Sequence, residues 1–127
     1  MDENIIVIDD DDIALVILKR MIASLDTNLS VLPFQKGKEA LRYLQSKKYT
    51  NPPYILLDFH LKDVVGWELL EELETIPELN SRIFLISSSV NSELPTTSRR
   101  YKSVAGFIEK PITFGILKSI LERIRKN

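Results

Sequence analysis

Residues 54–73, YILLDFHLKDVVGWELLEEL, change their hydrophobic period halfway, and that change decides the fold. Tyr54-Ile55-Leu56-Leu57 is short, unbroken and apolar, the pattern of a β-strand covered on both faces. Beyond Gly66, the apolar residues Leu69, Leu70, Leu73 and Ile76 recur at three- and four-residue steps, the spacing of one helical face. Pro77 is expected to close that helix. A doubly covered strand followed by an amphipathic helix is the repeating unit of a parallel sheet with right-handed crossovers.

The unit recurs in both directions along the chain. Upstream, Ile5-Ile6-Val7-Ile8 precedes Ala14, Ile17, Leu18, Met21, Ile22 and Leu25, with Lys19, Arg20 and Ser24 on the opposite side and Asp12 at the expected N-cap. Leu29 to Phe34 is a weaker strand, and Pro33 assigns it to a sheet edge. Ala40, Leu41 and Leu44 make a short helix after Gly37. Downstream, Ile83-Phe84-Leu85-Ile86 and Val104-Ala105-Gly106-Phe107-Ile108 read as further strands covered on both faces. The polar segment from Asn91 to Ser103, with Pro95, is the poorest helix, and Leu117, Ile120, Leu121 and Ile124 mark the last one. The order is β-α five times over, without a repeat, a linker or a low-complexity segment. One domain over residues 1–127 is the expectation.

Composition narrows the function. With 44% hydrophobic residues the chain can bury a core unaided, and the absence of cysteine excludes thiol catalysis, iron–sulfur clusters and disulfides. A formal net charge of −1 offers no basic excess for nucleic acid. Acids cluster at residues 9–12 and 68–74. Arg99, Arg100, Lys102, Lys118, Arg123, Arg125 and Lys126 weight the last third, and such runs read as solvated helix faces. MDENIIVIDD has no basic n-region and only a four-residue apolar run, unlike a secretory signal. No stretch approaches the ~18 apolar residues of a membrane span. A cytoplasmic protein with neither nucleic-acid nor membrane partners is expected.

Ligands of open parallel sheets bind at the carboxyl ends of the strands, beside the switch in strand order. The residues that follow the apolar runs are Asp9, Asp10, Asp11 and Asp12, then Asp58, then Ser87 and Ser88, then Lys110-Pro111. Acids, a hydroxyl and a lysine therefore converge on one sheet edge. Crowded carboxylates repel one another, and a hard divalent cation with oxygen ligands relieves them; magnesium, with manganese as an alternative, completes its shell with water and a phosphate group. Such a site is arranged to receive a phosphoryl group. There is no cysteine and the one histidine is His60, so the nucleophile is a carboxylate, and Asp58 at the end of the central strand is the candidate. Lys110 and the Ser87 hydroxyl would neutralise the phosphoryl oxygens that the metal does not reach.

Taken together, these residues resemble the receiver domain of two-component response regulators from end to end. The resemblance rests on IIVIDDDD (5–12), YILLDFHLKDVVGWELL (54–70), IFLISSS (83–89) and GFIEKP (106–111), four motifs in order at four strand ends. It implies an α/β fold of the flavodoxin-like (βα)5 type, a three-layer sandwich around a five-stranded parallel sheet in the order 2-1-3-4-5, in a stand-alone domain with no output domain. It implies Asp58 as phosphoacceptor for a sensor histidine kinase or a histidine phosphotransfer protein, with a downstream protein target. The domain would be no enzyme beyond its own phosphorylation and dephosphorylation. Asp10 would hold the metal directly, Asp9 mainly through water, and Asp58 and the His60 backbone carbonyl would be further ligands. Ser87 would move toward the phosphoryl group, Phe107 would follow as an aromatic switch, and a cis Lys110-Pro111 peptide would aim the lysine. Two features depart from the family pattern. Leu61-Lys62 replaces a common Met-Pro, which leaves the loop after Asp58 less constrained, and the fourth helix is unusually polar.

Other readings attach to single residues. Asp11 and Asp12 suit a helix start better than a metal. Phe107 fits strand core as well as a switch, Trp67 fits packing, and His60 fits the mouth of the pocket. Three alternative functions are an aspartyl-nucleophile phosphatase, an unphosphorylated scaffold, and a flavin or nucleotide binder. The phosphatase usually needs an acid where His60 stands, and the binder needs a glycine-rich loop where the four aspartates stand.

Overall fold

The computed structural model describes residues 4–88 and 93–126. Its elements are β1 (Ile5–Ile8), α1 (Asp12–Leu25), β2 (Val31–Phe34), α2 (Gly37–Gln45), β3 (Tyr54–Asp58), α3 (Gly66–Glu74), β4 (Ile83–Ser87), α4 (Glu93–Ser98), β5 (Val104–Glu109) and α5 (Phe114–Lys126), with one 3₁₀ turn at Pro77–Leu79. The strands form one five-stranded parallel sheet in the order β2-β1-β3-β4-β5, the expected flavodoxin-like arrangement. Strand order reverses at β1, between β2 and β3, and the cleft at that reversal is where a ligand site belongs.

Alternation along the strands builds two cores. Ile5 and Val7 of β1, Leu56 of β3 and Phe84 and Ile86 of β4 face one side, against Leu15, Leu18 and Ile22 of α1 and Leu117, Ile120 and Leu121 of α5. Ile6 and Ile8, Ile55 and Leu57, and Ile83 and Leu85 face the other, against Ala40 and Leu44 of α2 and Leu69, Leu70 and Leu73 of α3. The three central strands are buried throughout, which is why their sequences are continuous rather than alternating.

The structure corrects several local expectations. β5 is an edge strand: only Ile108 is buried, and the ladder with β4 shifts between Ile83 and Phe84, so Ala105 is a bulge residue. The N-cap of α1 is Asp11, not Asp12. Its carboxylate accepts from the amides of Ile13 (3.0 Å) and Ala14 (3.3 Å), and Asp12 is the first helical residue. Residues 13–18 of α1 are all apolar, so periodicity alone does not choose the buried stripe. Leu15 is buried, whereas Ile17, assigned to the core face, is 53% exposed. α3 ends at Glu74, short of Ile76, and Pro77 opens the 3₁₀ turn instead of closing the helix.

α2 begins without a cap of its own, since Lys36 at its N-cap makes no side-chain bond. Asp63, in the loop after β3, supplies one from a distance. Its two carboxylate oxygens accept from the amides of Gly37 and Lys38, each at 3.0 Å. Partial burial opposes ionisation of Asp63, but these amides outweigh it, and its pKa lies below the ordinary 3.8. A depressed aspartate pKa stabilises the fold above the unfolded value, and that stability is lost as pH falls through the folded one. Asp63→Ala should therefore cost about 1–2 kcal/mol at neutral pH, and the gap to wild type should close below about pH 4. Urea melts at several pH values measure both; a gap independent of pH would show that the carboxylate charge is not what caps the helix.

Candidate functional site

The ladder itself delivers the acids. The Asp9 amide donates to the Phe34 carbonyl (3.0 Å), which extends β1 by one step, and Asp58 is the last residue of β3, opposite Ile86. The Phe59 amide donates to the Ile86 carbonyl and the Lys110 amide to the Ser87 carbonyl, each at 2.9 Å, so both loops leave the sheet at the same level. Asp9, Asp58 and Ser87 are buried, and Asp10 is half-buried.

Side chains then meet across the strand ends. Lys110 Nζ lies 3.1 Å from Asp58 Oδ2 and 3.7 Å from Asp9 Oδ2. One carboxylate oxygen from each of Asp9, Asp10 and Asp58 falls within 4.8 Å of the others, a spacing that suits one hard cation with oxygen ligands. The electrostatics support the same fit. Burial is the main influence that raises the Asp9 pKa above its ordinary 3.8, and the Asp58 charge adds to it; the Asp11 amide and Lys110 only partly counter them. Burial disfavours the Lys110 ammonium, but its hydrogen bond to Asp58 and the charges of Asp58 and Asp9 prevail, and its pKa stands above 10.5. Three acids and one lysine leave a surplus of negative charge that a divalent cation would neutralise.

Other residues named from the sequence fall in and around this cluster. The Lys110–Pro111 peptide is cis. Phe107 is half-buried and packs with the α2–α3 core. Trp67 lies in an aromatic row, edge-on to Phe59 (4.7 Å between centroids) and stacked on Tyr101 (5.9 Å). Asp11 belongs to the helix cap, and Ser88 is exposed. Ser89, in the IFLISSS motif, lies outside the described residues.

Three contacts were not legible beforehand. The amide of Lys62 donates to Asp10 Oδ2 (3.0 Å), so with Asp63 on α2 the loop after Asp58 is tied at two successive residues, contrary to the expectation of looseness. The His60 amide donates to Asp58 Oδ1 (2.9 Å), and the His60 ring Nε2 lies 2.8 Å from Ser87 Oγ. Each joins residues on different strand ends or within a turn, where no periodicity speaks. No helix among the described residues is long and apolar enough to cross a membrane.

Comparison with known proteins assigns the family and the fold. Residues 5–122 match the family model of the response regulator receiver domain. A search of curated proteins returned no match. Among solved structures, a two-component response regulator from Legionella pneumophila superposes with a TM-score of 0.85 at 19% identity, over 99% of this chain and 100% of that one. A two component response regulator from Cytophaga hutchinsonii gives 0.81 at 22% identity, over 97% and 96%. A response regulator receiver protein from Dyadobacter fermentans DSM 18053 gives 0.76 at 22%, over 98% of each chain. Those likenesses carry the fold; the family model, which spans nearly the whole chain, carries the membership, and the chain belongs to the receiver domains of two-component response regulators.

Proposed function

We propose that Asp58 is the phosphoacceptor of this domain, charged from the phosphohistidine of a sensor histidine kinase or a histidine phosphotransfer protein, and that the phosphorylated domain signals by binding another protein. An Asp58 oxygen attacks phosphorus; the P–O bond forms as the P–N bond breaks, and the departing imidazole takes up a proton. The observation that carries this reading is the Asp58 carboxylate, buried yet held 3.1 Å from an ammonium and beside two further acids.

Asp9, Asp10 and Asp58 would hold the magnesium ion, with the His60 carbonyl as a further ligand, and manganese would fit the same oxygen donors. When bound, the ion supplies positive charge against the phosphoryl oxygens. Lys110 holds Asp58 Oδ2 at 3.1 Å, and the Ser87 hydroxyl would be the donor for a remaining oxygen. No second substrate is needed, so the domain acts only on its own aspartate. A cytoplasmic location follows for a domain charged by a kinase that draws on ATP.

Incubation with magnesium and a small acyl phosphate, followed by intact mass measurement, tests the proposal. Wild type should gain one phosphoryl group, and neither Asp58→Asn nor wild type in chelator should gain any. An unmodified wild-type mass across all magnesium concentrations would sink the reading, and steady turnover of phosphate monoesters would replace it with a phosphatase.

A further inference from the structure

The phosphoacceptor reading leaves one contact unexplained. Ser87 is fully buried at the end of β4, while His60, two residues past Asp58, is exposed; yet the ring Nε2 reaches inward to 2.8 Å from Ser87 Oγ. The ring is not a loosely attached side chain. Its own backbone amide donates to Asp58 Oδ1 (2.9 Å), and the ring packs nearly perpendicular to that of the neighbouring Phe59, at 5.5 Å between centroids. Phe59 is in turn set against Trp67. His60 therefore spans the gap between the carboxylate that accepts the phosphoryl group and the hydroxyl that has to meet it.

We infer that His60 is a positioning residue for chemistry at Asp58: its ring holds the Ser87 hydroxyl in the unphosphorylated protein, and a phosphoryl group on Asp58 must take that hydroxyl away from it. The inference rests on the phosphoacceptor proposal and assigns a side-chain role to a residue that the proposal uses only through its backbone. Ser87 Oγ can donate one hydrogen bond. A hydroxyl that donates to a phosphoryl oxygen cannot donate to the imidazole as well, whereas one that only accepts from the ring keeps its proton for the phosphoryl group. With the His60 ring protonated at Nδ1, Nε2 accepts from Ser87 Oγ, and phosphorylation then forces this pair to rearrange. The ring acts as a brake on the charged state, worth about one hydrogen bond, or roughly fivefold in an equilibrium constant.

A double-mutant cycle read with beryllofluoride, a phosphoryl mimic, tests it. Affinity is measured by calorimetry in magnesium for wild type, His60→Ala, Ser87→Ala and the double variant, with His60→Gln as the conservative replacement that keeps a hydrogen-bonding group. His60→Ala should bind about fivefold more tightly than wild type, while in the Ser87→Ala background the same change should shift affinity by less than about twofold. His60→Gln should fall back toward wild type. An equal shift in both backgrounds, or none in either, would overturn the inference while leaving Asp58 as acceptor. If wild type binds no beryllofluoride and gains no phosphoryl adduct, the acceptor proposal itself fails and takes the inference with it.

Discussion

Lys110→Ala should take up phosphoryl from a small acyl phosphate about a hundredfold more slowly than wild type, the usual loss when one preorganised charge is removed from a transition state. In the resting site the ammonium is 3.1 Å from Asp58 Oδ2 and 3.7 Å from Asp9 Oδ2. As phosphorus approaches Asp58, negative charge gathers on the equatorial oxygens, and a cation already fixed beside the nucleophile needs no reorganisation to meet it. Its raised pKa keeps it charged at every pH suited to the assay. Magnesium binding should survive, because losing a cation from a site with three carboxylates increases the demand for another. Lys110→Arg should recover only part of the rate, since a planar fork does not replace a point charge.

Linkage adds a second readout for the same variant. A lysine with a raised folded pKa stabilises the fold at all pH below its ordinary value of 10.5, and the contribution disappears as pH rises through the folded value. An aspartate with a raised pKa acts oppositely: Asp9 costs stability as pH rises above its ordinary 3.8, and in full once pH passes its folded value. Removing Lys110 takes away one of the influences that hold the Asp9 pKa down. Both effects have the same sign at neutral pH, so Lys110→Ala should melt below wild type in chelator and regain much of the loss in magnesium. Transfer within threefold of wild type would show that the lysine does not serve the acceptor.

What the sequence made legible follows from burial and spacing. Ile5–Ile8, Tyr54–Leu57 and Ile83–Ile86 announced themselves because both sheet faces are covered, and each strand end then placed a chemically distinct residue in one cleft. Local pattern failed wherever apolar residues were in surplus or contacts ran across the chain. The choice between Leu15 and Ile17 depends on how α1 lies on the sheet, and Val104–Ile108 looks doubly covered although β5 lies at the edge of the sheet. Asp63 caps a helix 26 residues upstream, and His60 meets a serine 27 residues downstream. Such pairs are set by where loops leave the sheet, which no window of sequence contains.

Gly66→Ala should destabilise the domain by about 1–3 kcal/mol, against the ordinary preference of a helix for alanine over glycine. Its conformation is not the reason, for no glycine among the described residues has a positive φ. Space is the reason. A Cβ at Gly66 would stand 2.5, 2.6 and 2.7 Å from Cε1, Cδ1 and Cζ of Phe59, closer than real Cβ atoms come. The ring has little room to retreat, because Trp67 lies edge-on at 4.7 Å and His60 at 5.5 Å between centroids, and the Phe59 amide is bonded to Ile86. Relief must therefore come from moving the start of α3 or the residues next to Asp58, and adduct formation should slow along with the loss of stability. Urea melts of Gly66→Ala, Phe59→Leu and the pair separate this from a propensity effect. With the ring gone, Gly66→Ala should cost less than about 1 kcal/mol, so the two substitutions should be non-additive in the compensating direction. Equal costs in both backgrounds would mean that Phe59 is not what keeps position 66 a glycine.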